Sequence, residues 1–189
     1  MTVTTPSARP AADECDSYYF TYIRKVPDGD VVARLEAQIQ DSLDLLEPLD
    51  ETRAGHRYEP GKWSVRDVVG HLVDTERIFA ARALHFARRD PSPLPGMEQD
   101  DYVREAGAGD RPLKDLLAEW QAVRAATVAL FRGLPGEVWS RSGIASGKEF
   151  TTGSLAWIIA GHELHHRGVL QERYLQVYSP SLSARPPAV

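Results

Sequence analysis

The sequence lacks three features that would assign it to a special class of protein. It has a single cysteine, Cys15, so it cannot form an internal disulfide. It has no apolar run near the ~20 residues that a membrane-spanning helix needs. It also lacks excess positive charge, because 22 lysines and arginines are outnumbered by 27 aspartates and glutamates, for a net charge of −5. Surfaces that bind nucleic acid are basic, so we expect neither a membrane nor a nucleic-acid partner.

The remaining composition is typical of a globular protein. Hydrophobic residues make up 42% and charged residues 26% of the 189 positions, which is near the average. We predict one domain at 18–176, between flexible tails at 1–17 and 177–189 that are rich in small residues and proline. The first tail has no apolar segment of the secretory type, so we expect a cytoplasmic protein. Cys15 lies in this predicted tail, where a catalytic thiol is not expected.

The spacing of apolar residues predicts four amphipathic helices, because such residues recur every three or four positions. Ser64 followed by Asp67 is a capping-box pattern that begins the second helix, and Thr151 and Thr152 are candidate caps for the fourth. The predicted helices cover about 30–47, 65–88, 110–132 and 152–170. No segment shows the alternation of a β-strand. The sequence therefore predicts an all-α fold, a four-helix bundle with long inter-helix connections.

The connection between the second and third helices, 90–109, is unusually long and rich in proline, glycine and acidic residues. Connections beyond about 12–15 residues are uncommon and are often functional or mobile. No helix is predicted within it. A segment of this length can cross the bundle, so neighbouring helices need not be antiparallel.

The chemistry is concentrated in the histidines of the fourth helix. His162 and His166 are four positions apart, so their rings lie about 40° apart and one turn along the same face. That face is otherwise apolar, and burying two imidazoles costs free energy unless each has a partner. A metal ion would be a partner for both rings. His165 lies toward the edge of the face and is the weaker candidate.

His71 on the second helix is the candidate third ligand. It flanks the apolar stripe and follows Gly70, just as His162 follows Gly161. A glycine inside a helix costs about 1 kcal/mol relative to alanine, and close helix approach beside a metal site is our hypothesis for both glycines. Three neutral imidazoles suit Zn, Ni, Fe or Co and leave positions for water or substrate. Spacing alone does not place His71 near the other two histidines.

Other residues near the histidines have ordinary interpretations. Glu76, Glu163 and Arg167 are candidates for supporting the ligands or binding substrate, but a solvated helix face or a salt bridge is the more common role of such residues. Trp63 and Trp157 are expected in the core. No catalytic residue is assigned.

Two stretches of the sequence carry a resemblance to a known family. They are YEPGKWSVRDVVGHLVDTERIFAARALHFARRDPSPLPG and GHELHHRGVL. In order, spacing and helix count they resemble the DinB-like superfamily, which comprises the DNA-damage-inducible and thiol-transferase-like bundles, over about 26–174. The family's metal ligands are one histidine on the second helix and a His-x-x-x-His pair on the fourth. These match His71, His162 and His166.

The resemblance implies a bundle that does not simply run up–down–up–down and that often forms a homodimer. It also implies a bound divalent metal ion, with Zn or Ni first and Fe, Co or Mn as further candidates. Characterised relatives use their metal to activate low-molecular-weight thiols for transfer or isomerisation. We therefore predict a metal-dependent transferase that acts on a small-molecule substrate, a low-molecular-weight thiol.

Three alternatives stay open at this point. A metal-activated water would serve a metal-dependent hydrolase equally well. The segment from His162 to His166 also matches H-E-x-x-H, the zinc-protease motif in which the glutamate, here Glu163, is the general base; the third ligand of such enzymes usually lies further along the chain. In the third alternative the protein is not catalytic, and the metal stabilises the packing of the helices.

Overall fold

The computed structural model describes residues 8–175 and consists mainly of helices. Residues 1–7 and 176–189, which belong to the two predicted tails, lie outside this range. Between residues 8 and 175 the structure has seven α-helices and two strands, which are α1 Phe20–Ile23, α2 Val31–Leu46, α3 Glu51–Ala54, α4 Val65–Ala87, α5 Gln99–Ala106, α6 Leu113–Arg132, β1 Ser142–Ala145, β2 Lys148–Thr151 and α7 Thr152–Val169. A π-helical segment, Leu170–Leu175, extends α7. None of these helices combines the length and apolar character needed to cross a membrane.

The four predicted bundle helices are confirmed as α2, α4, α6 and α7, and their ends follow local sequence signals. Asp30 caps α2 by accepting hydrogen bonds from the backbone N–H groups of residues 32 and 33. Ser64 and Asp67 form the predicted capping box at the start of α4. Thr151 accepts from the N–H of residue 154 at the start of α7. Helix α6 begins after a proline and has Gly133 as its C-cap.

The bundle does not run up–down–up–down. Helices α2 and α4 each pack against α6 and α7, so α2 and α4 lie diagonally across the bundle. Val65 and Leu113 belong to one apolar cluster and Phe79 and Val128 to the other, so α4 and α6 run parallel. Helices α2 and α7 run in the opposite direction. The parallel pair explains why the 90–109 connection must traverse the length of the bundle, as its length predicts.

That connection is more ordered than its composition predicts. It contains α5, and its Leu94 pairs with the strand β1, because the N–H of Leu94 donates to the carbonyl of Ile144 at 2.9 Å and the N–H of Ser146 donates to the carbonyl of Leu94 at 3.0 Å. The expectation that 90–109 contains no helix is therefore wrong. Helix α5 has eight mostly polar residues and none of them is buried, so its sequence offers little apolar pattern from which a helix could be predicted.

The expectation that the chain has no strands is also wrong. Strands β1 and β2 form an antiparallel hairpin whose two loop residues, Ser146 and Gly147, both have positive φ, at 56° and 70°. This is the geometry of a type I′ turn. Cys15, which we expected in a tail, lies against the hairpin in an isolated bridge with Phe150. Burial and two neighbouring carboxylates raise the pKa of Cys15 to about 11, which makes it an unreactive thiol.

A buried polar layer crosses the middle of the bundle and separates the two apolar clusters. We define it as five side chains that the four bundle helices contribute: Gln38, Ser42, Glu76, Arg124 and Glu163. Arg124 holds Glu76 through Nε and Nη2, both at 2.8 Å, and holds Glu163 through Nη1 at 2.7 Å. Ser42 donates to the other oxygen of Glu163 at 2.6 Å. One cation, Arg124, therefore serves as the partner of both carboxylates in the layer.

Candidate metal centre

The structure brings the three predicted ligands together on one pair of antiparallel helices. His71 lies in the second turn of α4, and His162 and His166 lie one turn apart near the end of α7. The Nε2 atom of His162 is 3.2 Å from that of His71 and 3.1 Å from that of His166. One nitrogen from each of the three rings lies within 4.8 Å of the others. Among residues 8–175 no other group of histidine, cysteine or acidic residues converges in this way.

The spacing of the three nitrogens suits a metal ion. Zn–N bonds of about 2.0–2.1 Å at tetrahedral angles separate neighbouring ligand nitrogens by roughly 3.4 Å. The observed 3.1 and 3.2 Å are close to this value. The Oγ1 of Thr75 lies 3.4 Å from Nδ1 of His71. If Nδ1 donates to this oxygen, the lone pair of Nε2 is directed toward the other two rings.

The surroundings keep all three imidazoles neutral. His71 and His162 are buried, with exposed fractions of 3% and 7%. Burial, with the neighbouring His165 as a smaller cause, lowers the pKa of His71 to about 4. Burial, with His71 and His165 as smaller causes, lowers the pKa of His166 to about 3. Burial and the adjacent rings also depress the pKa of His162 well below its usual range. Neutral imidazole is the form that binds metals, so the ligands need no deprotonation at neutral pH.

A cavity of about 310 Å³ opens onto this cluster, and His71 and His162 form part of its wall. Three other parts of the chain complete the wall: the tyrosines around α1, the outer half of α4, and the segment just before α5 with the tip of the β-hairpin. The lining residues outside the histidines are Tyr18, Tyr19, Tyr22, Thr75, Ile78, Phe79, Arg82, Met97, Glu98, Gln99 and Ser146. A small molecule in the cavity would therefore contact the histidine cluster directly.

Comparison with known proteins identifies the family. A model of the DinB superfamily matches residues 34–170, which is more than half of the chain. The chain belongs to the DinB superfamily. Among curated proteins no sequence matches it.

Solved structures place the chain in the same fold. YfiT from Bacillus subtilis, described as a probable metal-dependent hydrolase with an unusual four-helix bundle topology, matches with a TM-score of 0.65 and 17% identity over 93% of this chain and 97% of YfiT. A mycothiol-dependent maleylpyruvate isomerase matches with a TM-score of 0.62 and 14% identity over 77% of this chain and 61% of the isomerase. This chain thus spans less than two thirds of the isomerase. At such low identities the two matches show the DinB fold alone.

The two glycines beside the histidines of this DinB bundle do allow close approach, in one case between two helices. A Cβ at Gly161 would lie 2.3 Å from the backbone carbonyl oxygen of Tyr22 in α1, and a Cβ at Gly70 would lie 2.6 Å from Cβ of Ala108. Neither contact joins α4 to α7. Gly161 instead lets α1 pack against α7, which places the ring of Tyr22 edge-on to His162, with 5.3 Å between ring centroids.

Replacing Gly161 with alanine should therefore destabilise the protein by about 1–3 kcal/mol, because the added methyl group overpacks against backbone that cannot rotate away. Gly168 is the matched control, since it lies in the same helix and a Cβ there would meet nothing within 4 Å. Gly168→Ala should be neutral or stabilising by up to about 1 kcal/mol. Chemical denaturation followed by circular dichroism measures both values, and equal stabilities for the two variants would contradict the contact.

The remaining sequence candidates in this DinB protein have structural roles. Glu76 and Glu163 both belong to the buried polar layer, and Arg167 pairs with Asp41 of α2 at 3.0 Å. Glu163 is 1% exposed and both of its oxygens are engaged. It cannot serve as a general base for a water in the cavity, so the zinc-protease interpretation of H-E-x-x-H is wrong. His165 is partly exposed and its ring nitrogens do not join the cluster.

Trp157 lies in the core, as expected. Trp63 packs at the edge of the other apolar cluster and also against His71, with 4.9 Å between ring centroids. Sequence reasoning missed Tyr22 and Arg82, which line the cavity. A signal for Arg82 was present: it follows His71 by eleven residues, which is about three turns, so both residues occupy the same face of α4.

Proposed function

We propose that this DinB protein binds one divalent metal ion through His71, His162 and His166 and uses it to activate a low-molecular-weight thiol for transfer to an electrophile. The observation that carries the proposal is the convergence of three buried imidazole nitrogens on the wall of a cavity that admits a small molecule. When bound, the metal would lower the pKa of a thiol and hold it as the thiolate, the competent nucleophile. Zn and Ni suit three imidazoles best, with Fe, Co and Mn as further candidates.

The charge balance of the site favours an anionic partner. Three neutral histidines leave the full charge of a divalent cation uncompensated, and His71 and His162 are buried. A thiolate or hydroxide that enters from the cavity would neutralise part of this charge in a region of low dielectric constant, where the attraction is strong. The protein contributes by holding the three rings neutral and converging.

A specific observation favours the thiol over water. The buried carboxylates of the polar layer, Glu76 and Glu163, are held by Arg124, and buried Asp67, one turn before His71, is held by Arg57. No carboxylate of residues 8–175 hydrogen-bonds to the three ligand rings. No carboxylate therefore acts on the ligand rings directly, and the one carboxylate on the cavity wall is Glu98. A thiol with a pKa of about 8.5 needs much less assistance to ionise than water with a pKa of 15.7. Hydrolysis is the second candidate, because a metal ion alone can ionise water.

Two assays on metal-loaded protein test the proposal. The first mixes a thiol (glutathione, cysteine or mycothiol) with 1-chloro-2,4-dinitrobenzene: the sulfur–carbon bond forms, the carbon–chlorine bond breaks, chloride leaves and the thiol proton goes to solvent. The second follows hydrolysis of p-nitrophenyl acetate. We expect thiol transfer that requires both the metal and His71, at least tenfold faster than ester hydrolysis relative to the respective background rates.

Spectroscopy separates the remaining outcomes. In Co²⁺-loaded protein, the cobalt absorption should change when the thiol is added, because sulfur replaces a water ligand. Metal-dependent ester hydrolysis without any response to thiols would overturn the transferase and support the hydrolase. Bound metal with neither activity would support a structural metal. The homodimer and the cytoplasmic location implied earlier stay predictions, and sedimentation analysis tests the first.

A further inference from the structure

Arg82 is a buried cation without a counter-ion. It is 5% exposed and lies on the wall of the cavity. Its Nη2 donates to the carbonyl oxygen of Pro95 at 2.8 Å and to Oγ of Ser146 at 3.0 Å. Every buried carboxylate of the polar layer is paired with Arg124, whereas no carboxylate among residues 8–175 forms an ion pair with Arg82. Glu98 lines the same cavity but makes no ion pair with it.

Such a charge is costly unless something compensates it. Buried charges are normally paired, because moving an ion out of water costs several kcal/mol even after relaxation. Burial lowers the pKa of Arg82, and Tyr19 offsets only part of this shift. The two neutral acceptors, and the Phe79 ring whose centroid lies 5.5 Å from Cζ of Arg82, contact the cation but do not neutralise its charge. An anion in the cavity would do so, with charge-assisted hydrogen bonds that are about twice as strong as neutral ones.

Arg82 and the histidines lie at different positions along the wall of the cavity. Arg82 follows His71 by eleven residues, so the two residues lie on the same face of α4, about 16 Å apart along the helix axis. Thr75 and Ile78 line the cavity between them. The wall of the cavity therefore carries the histidines and Arg82 at positions about three turns apart on α4. Ser146, in the hairpin turn, lies at the Arg82 end, where its Oγ accepts from Nη2 of Arg82 at 3.0 Å.

We propose that Arg82, with Ser146, forms a subsite for the anionic group, carboxylate or phosphate, of a small organic acid whose other end faces the histidine cluster. The proposal deepens the proposed function, on which it rests, by naming the class of the molecule that enters the cavity. Arg82 is here a binding and positioning residue, and it performs no chemistry. Its hydrogen bonds to Pro95 and Ser146 also join α4 to the connection and to the hairpin, so binding must be separated experimentally from folding.

The test uses metal-free protein, prepared with a chelator, and three probes of similar size: benzoate, phenyl phosphate and benzyl alcohol. Isothermal titration calorimetry should show that at least one anion binds at least tenfold more tightly than the neutral alcohol, as expected for a hydrogen-bonded charge pair. The tighter of the two anions identifies carboxylate or phosphate as the preferred group. Arg82→Gln should abolish the preference for the anion, and Arg82→Lys should restore part of it.

Arg141→Gln is the matched control. Like Arg82, Arg141 donates to a backbone carbonyl, but it is only partly buried and does not line the cavity. It should keep the full preference. Equal affinities for anions and alcohol in the wild type, no binding of any probe, or an equal loss for all probes in Arg82→Gln would overturn the subsite. If Arg82→Gln does not fold, the NMR signal of the Arg82 Nε–H in the wild type decides, and it must shift with benzoate or phenyl phosphate but not with benzyl alcohol. Because no metal is present, this result is independent of metal content and of thiol transfer.

Discussion

Replacing His71 with alanine is expected to remove the metal ion. The wild-type protein should contain about one ion per chain after reconstitution, and the variant should contain little, because two ligands of one helix cannot replace the third from α4. Loss of groups that only support a ligand costs 10–100-fold in metal affinity. Loss of a ligand itself should therefore cost more than about 100-fold. Mass spectrometry of the metal content and a competition titration with a chelator measure the two quantities.

Two further variants make the experiment specific. His162→Ala and His71→Ala should behave alike, because their Nε2 atoms lie 3.2 Å apart in one cluster. His165→Ala is the control, since its ring lies beside that of His166, with 5.0 Å between centroids, but outside the nitrogen cluster. It should keep its metal. Unchanged metal in His71→Ala would remove that residue from the ligand set, and lost metal in His165→Ala would mean that the wrong pair on α7 was chosen.

Replacing Arg124 with methionine is expected to destabilise the bundle by about 3–5 kcal/mol, because it leaves two buried carboxylates without a partner. Glu76 and Glu163 are 3% and 1% exposed, and both are bound to Arg124 in the wild type. For a chain of this length, each kcal/mol lowers the Tm by roughly 2–4 °C. Thermal unfolding should therefore show a decrease of roughly 6–20 °C.

The control for Arg124→Met is the triple variant that also carries Glu76→Gln and Glu163→Gln. Removing all three charges avoids the unpaired carboxylates, so the triple variant should regain most of the lost stability, as neutral replacements of buried ion groups often do. A single variant within 1 kcal/mol of the wild type, or a triple variant less stable than the single one, would refute this account of the polar layer.

The bundle helices could be predicted from the sequence because their ends carry local signals. Asp30, Ser64 and Thr151 cap helices whether or not the rest of the chain has folded. The hairpin could not be predicted from alternation, since each strand has only four residues. The Ser-Gly pair at 146–147 was its one local signal, because serine followed by glycine is typical of tight turns.

In the candidate site, too, some residues could be predicted from local spacing and others depend on how the helices pack. His162 and His166 follow from their spacing on one helix, whereas the placement of His71 beside them depends on the antiparallel packing of α4 and α7, for which the sequence offered only the family resemblance. Arg124 was overlooked although it lies four residues after Trp120 on the buried stripe of α6. An arginine at such a position predicts a buried acidic partner, but not which helix provides it.

His162 and Glu163 are consecutive residues of α7 that face different partners. His162 meets His71 of α4 on the cavity side, and Glu163 meets Arg124 of α6 inside the bundle. A slip of α7 by one turn, about 5.4 Å, would break both contacts at once. Two polar contacts at neighbouring positions thus fix the register of α7 against two different helices.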